Sequence, residues 1–171
     1  MNQSLPERIE ALYEEIDAAV RFLEAKHGNR LRCGPGCTSC CVDEITVWSI
    51  EAENIRSRYA GTLGKMKPHL IGACAFLDGD GTCRIYRWRP YVCRTQGLPL
   101  HWTEEQEDGT VVAFRDICPE NEPGIPVESL DEDSCWTIGP VEETLARLQH
   151  RYRNGEMTRV ALRELFFCEK F

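Results

Sequence analysis

The chain has 171 residues, carries 28 acidic against 20 basic side chains for a formal net charge of −8, and contains ten cysteines. This length is enough for one hydrophobic core, so a single domain over residues 1–171 is expected and a wholly disordered chain is excluded. The acidic balance excludes a general nucleic-acid or anionic-membrane binder, which needs clustered surplus cations, and no apolar run approaches the roughly 20 residues of a membrane span.

Residues 1–10 show no positively charged stretch followed by an apolar one, so a cytoplasmic location is expected. Disulfides do not persist in a reducing compartment. Clustered cysteines there hold metal or carry out redox chemistry more often than they staple a fold.

Ser4-Leu5-Pro6-Glu7 has the form of a capping box with proline in the first turn, and it predicts an N-terminal helix over residues 4–28. Leu5, Ile9, Leu12, Ile16, Ala19 and Leu23 then recur at steps of four and three, which gives one apolar stripe for packing. Residues 31–42 offer turn formers and thiols without an apolar period and read as a loop. A short strand at residues 44–48 and a helix from Ser49 to about Tyr59 follow.

Residues 74–86 read as a hairpin around Asp78-Gly79-Asp80-Gly81, which would bring Cys74 and Cys83 together. A second hairpin brackets the polar loop 103–109, with residues 110–115 as its return strand. Residues 116–133 hold seven acids, no base and four prolines or glycines, and read as an exposed connection. Pro140 opens a helix that Asn154-Gly155 stops, and residues 156–168 read as a second helix, so a helical hairpin is expected over residues 139–168. The fold class expected is α+β, mostly helical, with a small irregular metal-organised centre and short hairpins.

The first thiol cluster is Cys33-x3-Cys37-x2-Cys40-Cys41. Ligands two or three residues apart let a turn direct successive sulfurs at one centre, and glycine and proline bring backbone N–H groups close to them. Consecutive side chains diverge in extended backbone, so Cys40 and Cys41 are not expected to share one ion. Cys74-x8-Cys83-x9-Cys93 forms the second cluster, with Cys118 beyond it. Eight thiols exceed the four of a single zinc or ordinary iron–sulfur site, so either two sites exist or some thiols are not ligands. Arg84, Arg89 and Arg94 lie beside Cys83 and Cys93, where positive charge favours thiolates and offsets the charge of a cluster or binds an anion; the equal alternative is the solvated face of a strand.

Cys37-x2-Cys40-Cys41, Cys74-Ala75-Phe76-Leu77, Gly81-Thr82-Cys83-Arg84-Ile85-Tyr86, Arg89-Pro90 and Cys93-Arg94 together resemble the YkgJ-type cysteine-cluster family, described as a zinc- or iron-chelating domain. The resemblance covers a cysteine-cluster core of roughly residues 33–120. It implies metal or iron–sulfur binding. The flagellin lysine methylase carries a related domain with a similar cysteine pattern and an associated iron–sulfur cluster. The family pattern points to Cys37, Cys40, Cys41, Cys74, Cys83 and Cys93 first, with Cys33 and Cys118 at more variable outer positions. Ala75 stands where the family often has proline, and Thr95-Gln96-Gly97 replaces an aromatic-proline pair, so the local loop shape differs from the family's.

The spacing of Cys33, Cys37 and Cys40 also resembles the cluster loop of radical SAM enzymes. Ser39 replaces that family's aromatic residue, and too few βα alternations follow to build its partial barrel, so that reading is set aside.

Adjacent cysteines, the excess of thiols and the nearby arginines favour an iron–sulfur cluster, of the 4Fe-4S type, over the alternative of zinc. The first expectation is thus a cluster-bearing protein with a redox or protein-modification role, alone or as an accessory. The alternative is a zinc-stapled interaction module without catalysis. Its partner is expected to be another protein or a small-molecule substrate, not nucleic acid or a membrane. The sequence names no catalytic residue. His27, His69, His101 and His150 are scattered, with His101 nearest the thiols but read as a surface or packed histidine rather than a ligand. Cys135 and Cys168 lie outside the pattern, and Cys168 is read as a small buried hydrophobe.

Overall fold

The computed structural model describes residues 4–167. In chain order the elements are α1 (Leu5–His27), β1 (Thr46–Trp48), α2 (Ser49–Arg58), the single-turn α3 (Tyr91–Arg94), β2 (Leu100–Glu105), β3 (Val111–Asp116), β4 (Trp136–Thr137), α4 (Pro140–Tyr152) and β5 (Arg159–Ala161), with short 3-10 turns between them. The α+β class expected from the sequence is the one observed.

Helix α1 starts where its capping residues place it. The Glu7 carboxylate accepts hydrogen bonds from the Ser4 backbone N–H at 2.7 Å and the Ser4 hydroxyl at 2.9 Å. These satisfy donors that the first helical turn would otherwise leave open. Its stripe of Ile9, Tyr13, Ile16, Val20 and Leu23 is buried against Ile50, Tyr91, Leu98, Trp136 and Leu145. A second apolar cluster gathers Val47, Ala52, Ile55, Phe76, Leu77, Ile85, Val160, Leu162 and Leu165. Each such aliphatic side chain contributes about 1.5–3 kcal/mol on full burial. Helix α2 joins the clusters, with Ile50 in the first and Ile55 in the second.

The second sequence-predicted hairpin forms as an antiparallel β2–β3 pair, from Leu100 opposite Asp116 to Glu105 opposite Val111. Its connection is tighter than the polar loop 103–109, because pairing continues to Glu105 and the Gln106 N–H closes on the Thr110 carbonyl at 2.8 Å. Strand β4 adds in parallel to the other edge of β2. The first hairpin shrinks to one antiparallel bridge between Leu77 and Cys83. The Asp78 carboxylate holds its turn by accepting from the backbone N–H groups of Asp80 and Thr82.

The C-terminal helical hairpin does not form. Helix α4 ends at Asn154-Gly155, both at positive φ, and the chain then enters β5 and a 3-10 turn over Leu162–Phe166. Strand β5 pairs antiparallel with β1, with Val160 opposite Val47, and the Leu162 N–H donates to the Ile45 carbonyl at 3.0 Å. An unpaired β1 would leave buried backbone groups without partners, and that long-range demand overrides local helix propensity. Cys168 lies outside the described residues.

Candidate metal centre

The seam between the two apolar clusters opens into a cavity of about 340 Å³. Val20 and Leu31 face it from one cluster, and Ile45, Phe76, Leu77, Ile85 and Leu162 from the other. Seven of the eight sequence-predicted thiols line it: Cys33, Cys37, Cys40, Cys41, Cys74, Cys83 and Cys93. Cys118 lies on the far side of a wall formed by Gln96, Gly97 and Leu98, where it lines a second cavity together with Cys40. As the side chains stand, no three His, Cys, Asp or Glu groups among the described residues close on a single ion.

Short turns place the thiols. The Cys37 N–H donates to the Gly34 carbonyl at 3.0 Å and the Cys41 N–H to the Thr38 carbonyl at 2.8 Å. The Cys74 N–H donates to the Cys41 carbonyl at 2.8 Å and stitches the first thiol cluster to the second. Backbone N–H groups also reach sulfur, that of Phe76 towards Cys74 and that of Ile85 towards Cys83, and both favour the thiolate.

Burial nonetheless dominates ionisation. Desolvation is the largest cause of the upward shift of Cys33, Cys40, Cys74 and Cys83; neighbouring thiols add to it at Cys33, Cys40 and Cys83, and the Asp43 carboxylate at Cys74. Cys41 is pushed up to about 12, and Cys93 is raised further by burial and by Cys74, Cys83, Cys41 and Cys40. Positive charge from the arginines does not outweigh this in the free thiols. A metal that binds them must therefore displace protons.

The three arginines have different surroundings. Arg84 donates to the carbonyls of Lys67, Ala75 and Phe76. Arg94 has a side chain only 1% exposed, pairs through one nitrogen with both Asp17 oxygens at 2.8 and 2.7 Å, and lies 3.9 Å over the Tyr13 ring. Its charge is thereby neutralised by α1. Arg89 lines the cavity, donates to the carbonyls of Cys93 and Tyr86, and its positive charge favours the thiolates of Cys33 and Cys83.

Several residues that shape the site escape sequence reasoning. Gly97, at φ +86°, lies where an added Cβ would sit 2.5 Å from the Cys33 Cβ. Asn121 donates to the Gly97 carbonyl at 2.7 Å and accepts from the Arg32 N–H at 2.8 Å, which ties the two cavity loops together. Arg32 also donates to Glu122 through Nε at 2.9 Å, and the Glu122 N–H donates to the Arg30 carbonyl at 2.9 Å. Arg163 pairs with Asp43 and donates to the carbonyls of His69, Leu70 and Ala73. His101 is 4% exposed, with Nε2 3.7 Å from Glu132, so of the surface and packed readings the packed one holds.

Among the described residues no helix is long and apolar enough to cross a membrane. Comparison with curated proteins and with solved structures found no match to the chain. Residues 32–119, just over half of the chain, match the profile of the CxxCxxCC family, described as a zinc- or iron-chelating domain. These boundaries enclose all eight thiols around the two cavities and the loops that carry them. The chain is a member of that cysteine-cluster family, and it binds metal.

Proposed function

We propose that the chain holds an iron–sulfur centre on its cavity thiols and serves a redox or protein-modification reaction, alone or as an accessory. The observation that carries this reading is the ring of seven thiols around one cavity of about 340 Å³. A liquid water occupies about 30 Å³, so this space greatly exceeds that of one ion. Thiols spread over the walls of such a space suit a group that fills it, whereas a single zinc requires four ligands converged at about 2.3 Å.

The ligands divide by their influence on one another. Cys74 and Cys83 disfavour ionisation of Cys41, and Cys41, Cys74 and Cys83 that of Cys93, as an inner set. Cys37 and Cys118 disfavour ionisation of Cys33 and Cys40, which groups these four as an outer set. Cys40 and Cys41 stand at the seam, in keeping with the divergence of adjacent side chains. When bound, an iron–sulfur centre supplies one-electron transfer. The chain's own residues exclude water through Phe76, Leu77, Ile85 and Leu162, and direct N–H groups at Cys74 and Cys83.

Anaerobic purification followed by iron, zinc and acid-labile sulfide analysis tests the reading. Brown protein with iron and sulfide is expected, with Cys74→Ser and Cys37→Ser each losing a different part of the iron. Colourless protein with stoichiometric zinc overturns it.

A further inference from the structure

Charge is unevenly distributed along this acidic chain. Residues 54–103 carry eight basic side chains and only two acidic ones, Asp78 and Asp80, and they include the thiols Cys74, Cys83 and Cys93. Lys65, Lys67, Arg84, Arg87 and Arg89 have no carboxylate partner among the described residues. Lys65, Lys67 and Arg87 are exposed, so their charge faces solvent.

After the two lysines the chain displays an apolar tip, with Leu70 80% and Ile71 89% exposed. The tip is clamped from several sides. Arg163 donates to the carbonyls of His69, Leu70 and Ala73, and Arg84 to those of Lys67 and Ala75. The Gly72 N–H donates to the Asp43 carboxylate at 3.1 Å, and the His69 N–H to the Ala75 carbonyl at 2.9 Å. Two guanidinium groups thus hold two large aliphatic side chains in water, which adds nothing to the core. A preorganised apolar anchor does lower the cost of docking.

The location narrows the occupant. Ile71 is three residues before Cys74, so its Cα lies no more than about 11 Å from that of Cys74. A small apolar tip beside unpaired cations suits the small, transient interfaces of electron-transfer encounters, in which charge complementarity sets the association rate. The partner that complements it is acidic. An anionic membrane is disfavoured because the whole chain carries −8, and single-stranded nucleic acid because the tip has no ring for a base to stack on.

We propose that Leu70 and Ile71, with Lys65 and Lys67 beside them, form the docking surface for a small acidic one-electron carrier protein. The docked carrier gives up one electron to the centre on the inner thiols, with no bond made or broken. Electron transfer rests on the proposed iron–sulfur centre. Docking does not, so the two readings fail separately.

The probe is a purified plant-type [2Fe–2S] ferredoxin, titrated calorimetrically into the full chain. Saturable binding is expected, weakening about tenfold or more between about 50 and about 300 mM salt. The double variant Lys65→Glu/Lys67→Glu should weaken it about tenfold and Leu70→Ser/Ile71→Ser about fivefold, with unchanged melting and metal content because all four side chains but those of the clamp point to solvent. In stopped flow, reduced ferredoxin should bleach the iron-loaded chain and do so about tenfold more slowly with the lysine variant, while dithionite reduces both alike. Absence of saturable binding overturns the proposal, as does wild-type binding by both folded variants. Equal or tighter binding of oligothymidine or of phosphatidylglycerol vesicles overturns it too. An iron-loaded chain that ignores ferredoxin defeats this proposal alone. A zinc-loaded, sulfide-free chain that docks ferredoxin through these residues supports the surface and defeats the iron–sulfur reading.

Discussion

Gly97 and Cys33 are packed so closely that a β-carbon on the glycine would lie 2.5 Å from the Cys33 β-carbon. Glycine also permits the left-handed φ of +86° there. Gly97→Ala incurs about 1–2 kcal/mol for the backbone conformation and about 1–3 kcal/mol for overpacking. The overlap falls on a thiol-bearing loop, so the variant should lose metal content more than global stability. Metal analysis beside a urea titration checks this, and a purely global loss with full metal occupancy would refute it.

Asn121 holds the same loop from the other side, through Arg32 and the Gly97 carbonyl. Asn121→Ala removes two hydrogen bonds worth about 0.5–1.5 kcal/mol each. It should also speed metal loss to a chelator, whereas Asn121→Asp keeps the acceptor for Arg32 and should fall between. Equal chelation rates in all three proteins would show that the clamp does not hold the thiols.

Glu51 is 3% exposed and accepts from the Tyr13 hydroxyl at 2.8 Å and the Tyr91 N–H at 2.9 Å. Desolvation raises its pKa despite these bonds. A pKa raised in the folded state stabilises the fold most below the ordinary carboxylate range, and this contribution is lost as pH rises through the folded value. Glu51→Gln keeps an acceptor oxygen and carries no charge. It should be more stable than wild type at neutral pH, with the advantage shrinking as pH falls through the raised folded value and gone below about pH 4.5, the ordinary value for the group. Urea midpoints across that interval decide it, and a constant difference would exclude the linkage.

Arg94 and Arg89 should part company. Arg94→Met leaves Asp17, whose side chain is 34% exposed, without its guanidinium and removes a buried charged donor, a change that costs about 1.5–3 kcal/mol. Arg89 has no carboxylate partner among the described residues, and its Cζ lies 4.0 Å from the Tyr86 ring centroid. Arg89→Met removes positive charge beside the cavity, so the midpoint potential of a reducible centre should move to more negative values while the fold persists. Voltammetry of the loaded protein reads this directly, and an unmoved potential would count against a redox centre near Arg89.

Local chemistry made part of the molecule legible in the sequence. Ser4 and Glu7 mark the start of α1 because a capping box acts within one turn, and Gln106 to Thr110 mark a hairpin because turn geometry does the same. Thiol spacing picked out seven cysteines that line one cavity. Cys118 was separated from them by the wall of residues 96–98, whose path depends on Cys33 rather than on neighbours in sequence. Asn121 and Glu122 looked like members of a solvated acidic connection because their partners lie about 90 residues upstream. Strand β5 was hidden for the same reason: three residues have little β-signal until Thr46–Trp48 stands opposite them.

That last pairing governs when the metal cavity can exist. Leu162 forms part of the cavity wall and is fixed by the Ile45 carbonyl, more than a hundred residues earlier in the chain. Contacts across such a separation form late, after the loop-closure entropy has been met. During synthesis, the thiol loops leave the ribosome well before the residue that closes their apolar wall. Metal delivery should therefore follow release of residue 162, and chains stalled at residue 155 should stay metal-poor although every proposed ligand is already made.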